Sequence, residues 1–322
     1  MRLHDRVCVT AKPGEMTQGL FGRVFLHVFE ILPYLQKRKI YPAWSISSEL
    51  YGQPPNFTEI PGLLDLAYPA PENIEGCCSL QEIRRQREFA LGNDWSGLHR
   101  LWSAYFRVPA RIEQRTKTFG DLSATLGIHY RGTDKNTAGW DSNSVSHDDF
   151  AVIIKDLLGR RPGLTRIFVA TDEPEFIAYL SGNLEIPVVS FGAGRHHFEE
   201  KAHRERAMEA DHALTDCMTL SRCAVALTTS SALSAFSKVL NPDLEIYRCA
   251  ASKMFADIPY FPIAYIAPFS SDDAQVTEVL GRTMKDDWTT SATSRRFRGR
   301  FAFKRRASIL SLLRRKSRPP HG

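Results

Sequence analysis

The chain predicts an α/β protein built on a parallel sheet, and two observations carry that expectation. From about residue 120 onward, short apolar runs alternate with amphipathic stretches, the pattern of strand, crossover helix and strand. Polar residues cluster where those runs end, most densely in Gly127-Ile128-His129-Tyr130-Arg131-Gly132-Thr133-Asp134-Lys135. Leu126 and Ile128 read as the end of a buried strand, so this polar group emerges at a carboxyl end, where open α/β sheets place ligands. A His, Arg and Lys so close together favour an anion.

Taken in order, the chain opens with a strand over Arg6–Ala11, a loop over Lys12–Gly19 and an apolar helix over Leu20–Leu35, with Gly19-Leu20-Phe21-Gly22-Arg23 at the loop-to-helix junction. Pro54, Pro55, Pro61, Pro69 and Pro71 make residues 51 to 75 irregular. Residues 79 to 118 return to helical patterning through Leu80, Ile83, Phe89, Leu98, Leu101, Trp102 and Phe106. Alternation then begins: strand Ala124–His129, helix Asp148–Gly159, strand Thr165–Thr171, helix Pro174–Leu180 and strand Pro187–Phe191. It continues with helix Ala207–Cys223, strand Val225–Thr229, helix Ala232–Leu240 and strand Glu245–Arg248. The change of pattern sets a boundary near residue 118, giving 1–118, 119–290 and a tail, 291–322.

At 322 residues with 43% hydrophobic content, the chain is long enough for a substantial core and for two domains. No run approaches the roughly 18 to 20 apolar residues of a spanning helix. The start, Met1-Arg2-Leu3-His4-Asp5-Arg6, leads into only a short apolar run without the pattern of a signal peptide, so a cytoplasmic protein is expected. Cys8, Cys77, Cys78, Cys217, Cys223 and Cys249 are spread thinly, and Cys77-Cys78 lacks the two-residue gap of zinc or redox motifs, so they read as reduced packing residues. Cys217 and Cys223 fall within one expected helix, six residues apart.

The formal net charge of +6 is unevenly placed: residues 295 to 322 hold eleven Lys or Arg and no Asp or Glu, leaving −5 for the rest. A folded nucleic-acid binder carries its basic patch on the body, so nucleic acid is an unlikely partner. In the tail, Arg295-Arg296-Phe297-Arg298-Gly299-Arg300-Phe301-Ala302-Phe303-Lys304-Arg305-Arg306 and Ile309-Leu310-Ser311-Leu312-Leu313 interleave basic and apolar residues over 295–318. Such a segment suits a peripheral position at an anionic membrane surface, and equally a solvated disordered tail.

Three constellations carry chemistry. Arg131 can hold two phosphate oxygens through parallel charge-assisted hydrogen bonds, and Gly132 lets the backbone come close. Thr133 and Asp134 are placed for a ribose, a sugar hydroxyl or Lys135, and His129 for a base or phosphate; an Arg131–Asp134 surface pair satisfies the same spacing. The second is Asp216 through Ser231: a helix, the buried strand Val225–Thr229 and a Thr-Thr-Ser-Ser turn opening a helix. Ser230 or Ser231 at the N-cap is expected to leave hydroxyls and N–H groups facing outward for a phosphate, or simply to cap. Asp216 can accept from the planar N1–H and amino pair of guanine, or be a solvated helix residue. The third is Ile167-Phe168-Val169-Ala170-Thr171-Asp172-Glu173-Pro174, where Asp172 either touches a ribose, positions Arg131 or caps the next helix.

The order His-x-Arg-x-Thr-Asp-Lys, then Ala-Thr-Asp-x-Pro, then Asp-x-x-x-x-Ser-x-Cys with a strand and Ser-Ser resembles the superfamily of α1,6-fucosyltransferases, nodulation fucosyltransferases and protein O-fucosyltransferases, over roughly residues 120 to 240. The resemblance implies a GT-B fold, two Rossmann-like domains with a nucleotide-sugar site in the cleft, here with a basic carboxyl-terminal tail. It implies that Arg131 binds the β-phosphate of GDP-fucose, that His129 and Asp216 contribute to the guanosine pocket, and that Ser230 and Ser231 meet the diphosphate. Gly19, Gly22 and Arg23 match the glycine-rich first loop of such enzymes, in the acceptor-side domain. Many members carry two consecutive arginines where this chain has Arg131-Gly132.

The implied activity is an inverting glycosyl transfer from GDP-fucose to a glycan acceptor. The chain has no Asp-x-Asp, so the transfer is expected to need no metal and no cofactor, with Arg131 and the helix end at Ser230-Ser231 stabilising the leaving diphosphate. Asp134, Asp172 and Glu15 are candidate bases for the acceptor hydroxyl. Two other readings stay open: another nucleotide sugar as donor, and a non-catalytic binding protein recruited to anionic surfaces by its tail.

Overall fold

The computed structural model describes residues 7–10, 21–22, 24, 27–45, 64–69, 76–86, 88, 90, 92–132, 143–192, 203–252 and 262–287. The chain is α/β, with a three-stranded and a six-stranded sheet, both parallel, and a two-stranded antiparallel ribbon.

The smaller sheet has β1 (Val7–Thr10) at its centre, between β2 (Ala43–Ser45) and β4 (Gly76–Ser79). Between β1 and β2 the expected helix is present in part: residues 21–22 are helical, and His27–Ile31 form a π-type turn that leads into α1 (Leu32–Arg38). Pro33 explains the widening, since it has no N–H to give the Phe29 carbonyl one turn back, and the Ala90 N–H donates to that carbonyl instead at 2.9 Å. β3 (Asp65–Leu66) pairs antiparallel with β5 (Phe106–Arg107). Between them run α2 (Leu80–Arg85), started by a Ser79–Glu82 capping box, and α3 (Trp95–Ser103), capped by Asp94. The region expected to be wholly irregular and then wholly helical therefore also contains short strands.

α4 (Ala110–Thr116) leads to the larger sheet, ordered β11-β10-β9-β6-β7-β8: β6 (Thr125–Tyr130), β7 (Arg166–Thr171), β8 (Val188–Val189), β9 (Val225–Thr228), β10 (Glu245–Arg248) and β11 (Ala267–Pro268). The crossovers are α5 (His147–Arg160), α6 (Pro174–Asn183), α7 (His203–Leu220) and α8 (Ala232–Leu240), and α9 (Ala274–Thr283) follows β11. Alternation sorts the side chains of β6 between the two faces. Leu126, Ile128 and Tyr130 join Phe150, Ile154, Phe176 and Val276 on the face of α5, α6 and α9. On the other face Phe168, Ala170 and Ala226 pack with α7 and α8.

That second core continues into the amino-terminal part. Trp102 of α3 and Phe21 each set their rings 5.8 Å from Phe236 of α8, and His99 Nδ1 lies 2.9 Å from the Val239 carbonyl. Arg111 of α4 forms a bidentate pair with Asp211 of α7, both contacts at 2.8 Å.

Candidate functional site

The strand order reverses between β6 and β9. From β6 the chain runs outward through α5 to β7 and β8; from β8 it returns by α7 on the opposite face to β9, then moves out to β10. The crevice at the carboxyl ends of β6 and β9 is therefore the switch point, where a doubly wound sheet leaves room for a ligand. Arg131 follows the last residue of β6, and Thr229, Ser230 and Ser231 follow β9.

The two strand ends are tied across this crevice. The Arg131 N–H donates to Thr229 Oγ1 at 3.1 Å, and the Thr229 N–H donates to the His129 carbonyl at 3.0 Å. Thr229 was not singled out in the sequence because its hydroxyl meets a strand end that only the strand order makes its neighbour. The Arg131 side chain is 39% exposed, with Nε 4.0 Å from Asp172 Oδ2, so its guanidinium is presented at the surface of the crevice. Asp172 also accepts the Gly132 N–H at 3.3 Å. Of the uses expected for Asp172, the structure displays the contact with Arg131, and the N-cap of α6 is Glu173 instead, without a side-chain cap.

Ser231 is the N-cap of α8, as one of the two expectations had it. The expected outward-facing hydroxyls are corrected: Ser230 and Ser231 are buried, and Ser231 Oγ accepts from the Leu233 N–H at 3.3 Å. Burial arises because the turn folds beneath α8, with Thr228 Oγ1 donating to Ser234 Oγ at 2.7 Å and Ser234 Oγ donating to the Ser231 carbonyl at 2.9 Å. The first turn of α8 still directs its N–H groups toward the switch point.

His129 and Asp216 meet this edge from the α7 side. A Cβ added to Gly127 would lie 3.0 Å from both Cys223 Sγ and Leu220 Cδ2, which fixes the end of α7 against the middle of β6. α7 runs antiparallel to β6. Going back one helical turn, about 6 Å, reaches Asp216, and going forward two strand residues, about 6.6 Å, reaches His129 on the same face as Gly127. Asp216 and His129 both lie on the carboxyl-end side of that contact. The Cys217 thiol donates to the Leu233 carbonyl at 3.4 Å, joining this turn of α7 to the start of α8. His129 and Asp216 are buried, 6% and 1% exposed. Burial, and then the Asp216 charge beside it, push the Cys217 thiol well above its ordinary range. α7 ends at Leu220, so Cys223 lies beyond the helix that was expected to contain it.

Two residues that the sequence did not mark complete this edge. Glu173 Oε2 accepts from His147 Nε2 at 2.9 Å, and His147 is the first residue of α5, its ring centroid 5.4 Å from that of Tyr130 and 5.1 Å from that of Phe176. The only available signal was the acidic residue after Asp172. Gly22 is helical and buried next to Phe21, which reaches α8 through Phe236. Gly19, Arg23, Glu15, Thr133, Asp134 and Lys135 lie outside the described residues. Among the described residues, no group of three or more His, Cys, Asp or Glu side chains is arranged to hold a metal ion, and no helix is long and apolar enough to cross a membrane.

No family model and no curated protein matches the chain. Among solved structures it is similar to the fucosyltransferase NodZ from Bradyrhizobium, at 15% identity and TM-score 0.48, covering 74% of this chain and 94% of that one. It is also similar to an Arabidopsis thaliana FUT1 variant in complex with GDP, at 9% identity and TM-score 0.45, covering 76% and 71%. POFUT1 in complex with GDP-fucose aligns at 14% identity and TM-score 0.36, covering 76% and 74%. Each of these scores is below 0.5.

Proposed function

We propose that the chain is a glycosyltransferase that transfers fucose from GDP-fucose to a glycan acceptor, with inversion and without a metal ion. The observation that carries this is the Arg131 backbone tied at the switch point to Thr229, two residues before the N-cap of α8, with Asp216 and His129 buried on the neighbouring α7 and β6. A guanidinium and a helix amino terminus together favour a diphosphate. A buried carboxylate suits the paired N–H donors of guanine. In glycosyl transfer, negative charge grows on the departing diphosphate while the sugar becomes oxocarbenium-like, so fixed positive groups at the phosphates lower the barrier. Metal independence is inferred from the absence of Asp-x-Asp in the sequence together with these fixed groups.

On this reading residues 119–290 bind the donor, residues 1–118 face the acceptor, and 291–322 form a basic tail that holds a cytoplasmic enzyme at the inner face of a membrane. Thr133, Lys135, Gly19, Gly22 and Arg23 then complete the substrate contacts, and Asp134, Asp172 or Glu15 is the candidate base for the acceptor proton.

The test is competition binding of GDP, UDP and ADP to the full chain, followed by turnover of GDP-fucose in excess chelator. GDP preference and retained turnover are expected. Preference for UDP contradicts the fucose assignment, and activity lost to chelator and restored by manganese contradicts metal independence.

A further inference from the structure

Position 132 is a glycine, and the end of the Glu173 side chain lies where its Cβ would be. A Cβ there would lie 1.9 Å from Glu173 Oε1 and 2.3 Å from its carboxyl carbon. The Glu173 carboxylate therefore fills the volume that a side chain after Arg131 would occupy. Its other oxygen is 2.9 Å from His147 Nε2, and the Glu173 N–H donates to Thr171 Oγ1 at 3.1 Å. His147 is itself held among aromatic rings, with Tyr130, Phe176 and Tyr179 at 5.4, 5.1 and 5.4 Å. α5 and α6 both begin here, and their positive amino ends favour a carboxylate between them. On the adjacent side, Asp172 accepts the Gly132 N–H, and Thr229 accepts the Arg131 N–H.

We propose that Glu173, held by His147, is a positioning residue for the anion site: it packs on Gly132, fixes the Arg131-Gly132 backbone with Asp172 and Thr229, and takes the place of a second side chain beside Arg131. The donor's diphosphate is then captured by one preorganised guanidinium and not by an adjacent pair of cations. A guanidinium whose backbone is immobilised on both flanks loses less freedom when a diphosphate binds. Asp172 and Glu173 are kept apart in role, Asp172 toward Arg131 and Glu173 toward His147. This inference rests on the nucleoside-diphosphate reading of the site.

The test is a mutant cycle between positions 132 and 173, read by GDP affinity in calorimetry with the melting temperature recorded for each variant. Gly132→Ala should displace the Glu173 carboxylate and weaken GDP binding by about tenfold, and Glu173→Ala should do the same, with only the small drop in melting temperature that loss of the His147 contact brings. The double variant should be about tenfold weaker than wild type and not about a hundredfold, because the methyl group has room once the carboxylate is gone. Glu173→Gln, which keeps the shape and an acceptor for His147, should restore most of the affinity. Additive losses, or a Glu173→Ala protein that binds GDP as wild type does, overturn the proposal. A wild-type protein that binds none of GDP, UDP and ADP overturns the donor reading itself, a separate result.

Discussion

At the residue scale, the molecule separates groups held for chemistry from groups held for stability. Arg248 and Asp287 are fully buried and face each other in a fork, Nη1 and Nη2 reaching the carboxylate oxygens at 3.1 and 2.9 Å. Two further guanidinium donors go to the Ile266 and Ala250 carbonyls at 2.9 and 3.0 Å, and the Ser252 N–H donates to Asp287 at 3.2 Å. Removing one partner leaves a buried charge, so Asp287→Ala is expected to cost about 3–5 kcal/mol in chemical denaturation, against a smaller loss when both are replaced by apolar residues. The cysteines are all free, with Cys77 exposed and Cys8, Cys217, Cys223 and Cys249 buried. Burial pushes the Cys223 thiol from its ordinary 9.0 up to about 12 and raises Cys217 and Cys249 as well. The unfolded chain ionises these thiols first, so the folded state binds more protons above pH 9 and stability should fall from there toward about pH 12. A titration of melting temperature over that window checks it, and a flat profile contradicts it.

At the scale of elements, α8 does two jobs. Its N-cap closes the turn after β9, and its apolar side joins the sheet to α3 through Phe236. Ser231→Ala should therefore cost about 1 kcal/mol from the lost cap. α7 carries the buried Asp216, and Asp216→Asn is expected to weaken GDP more than ADP, because an amide presents a donor to one of guanine's donors. Equal losses for both nucleotides would contradict a base-reading role. β6, β7, β9 and their helices were legible in the sequence because buried strands of a parallel sheet read as continuous apolar runs with helices between them. β2, β3 and β5 were not, since strands of two or three residues have no periodicity to read. Arg131 was legible as a charged residue at a strand end. Thr229, His147 and Glu173 were not, because their roles depend on which strand ends and helix starts become neighbours, and that is decided by strand order. The inward turn of Ser230 and Ser231 was hidden for the same reason.

At the scale of the whole molecule, two parallel sheets are joined by the core around Trp102, Phe21 and Phe236, and the proposed anion site lies at the switch point of the larger one. Charge divides differently, with −5 over residues 1 to 294 and eleven basic residues after them. Deleting 295–322 should abolish pelleting with anionic vesicles while leaving GDP affinity unchanged. Equal pelleting of both forms would remove the tail from membrane binding. The central claim, that Arg131 at the end of β6 captures the diphosphate of a nucleotide sugar, is tested most directly by calorimetry of GDP with wild type and Arg131→Ala. A loss of about 3–4 kcal/mol in transition-state stabilisation, seen as a few hundredfold in turnover, should accompany greatly weakened GDP binding at an unchanged melting temperature. An Arg131→Ala protein that binds GDP and turns over GDP-fucose as wild type does would contradict it.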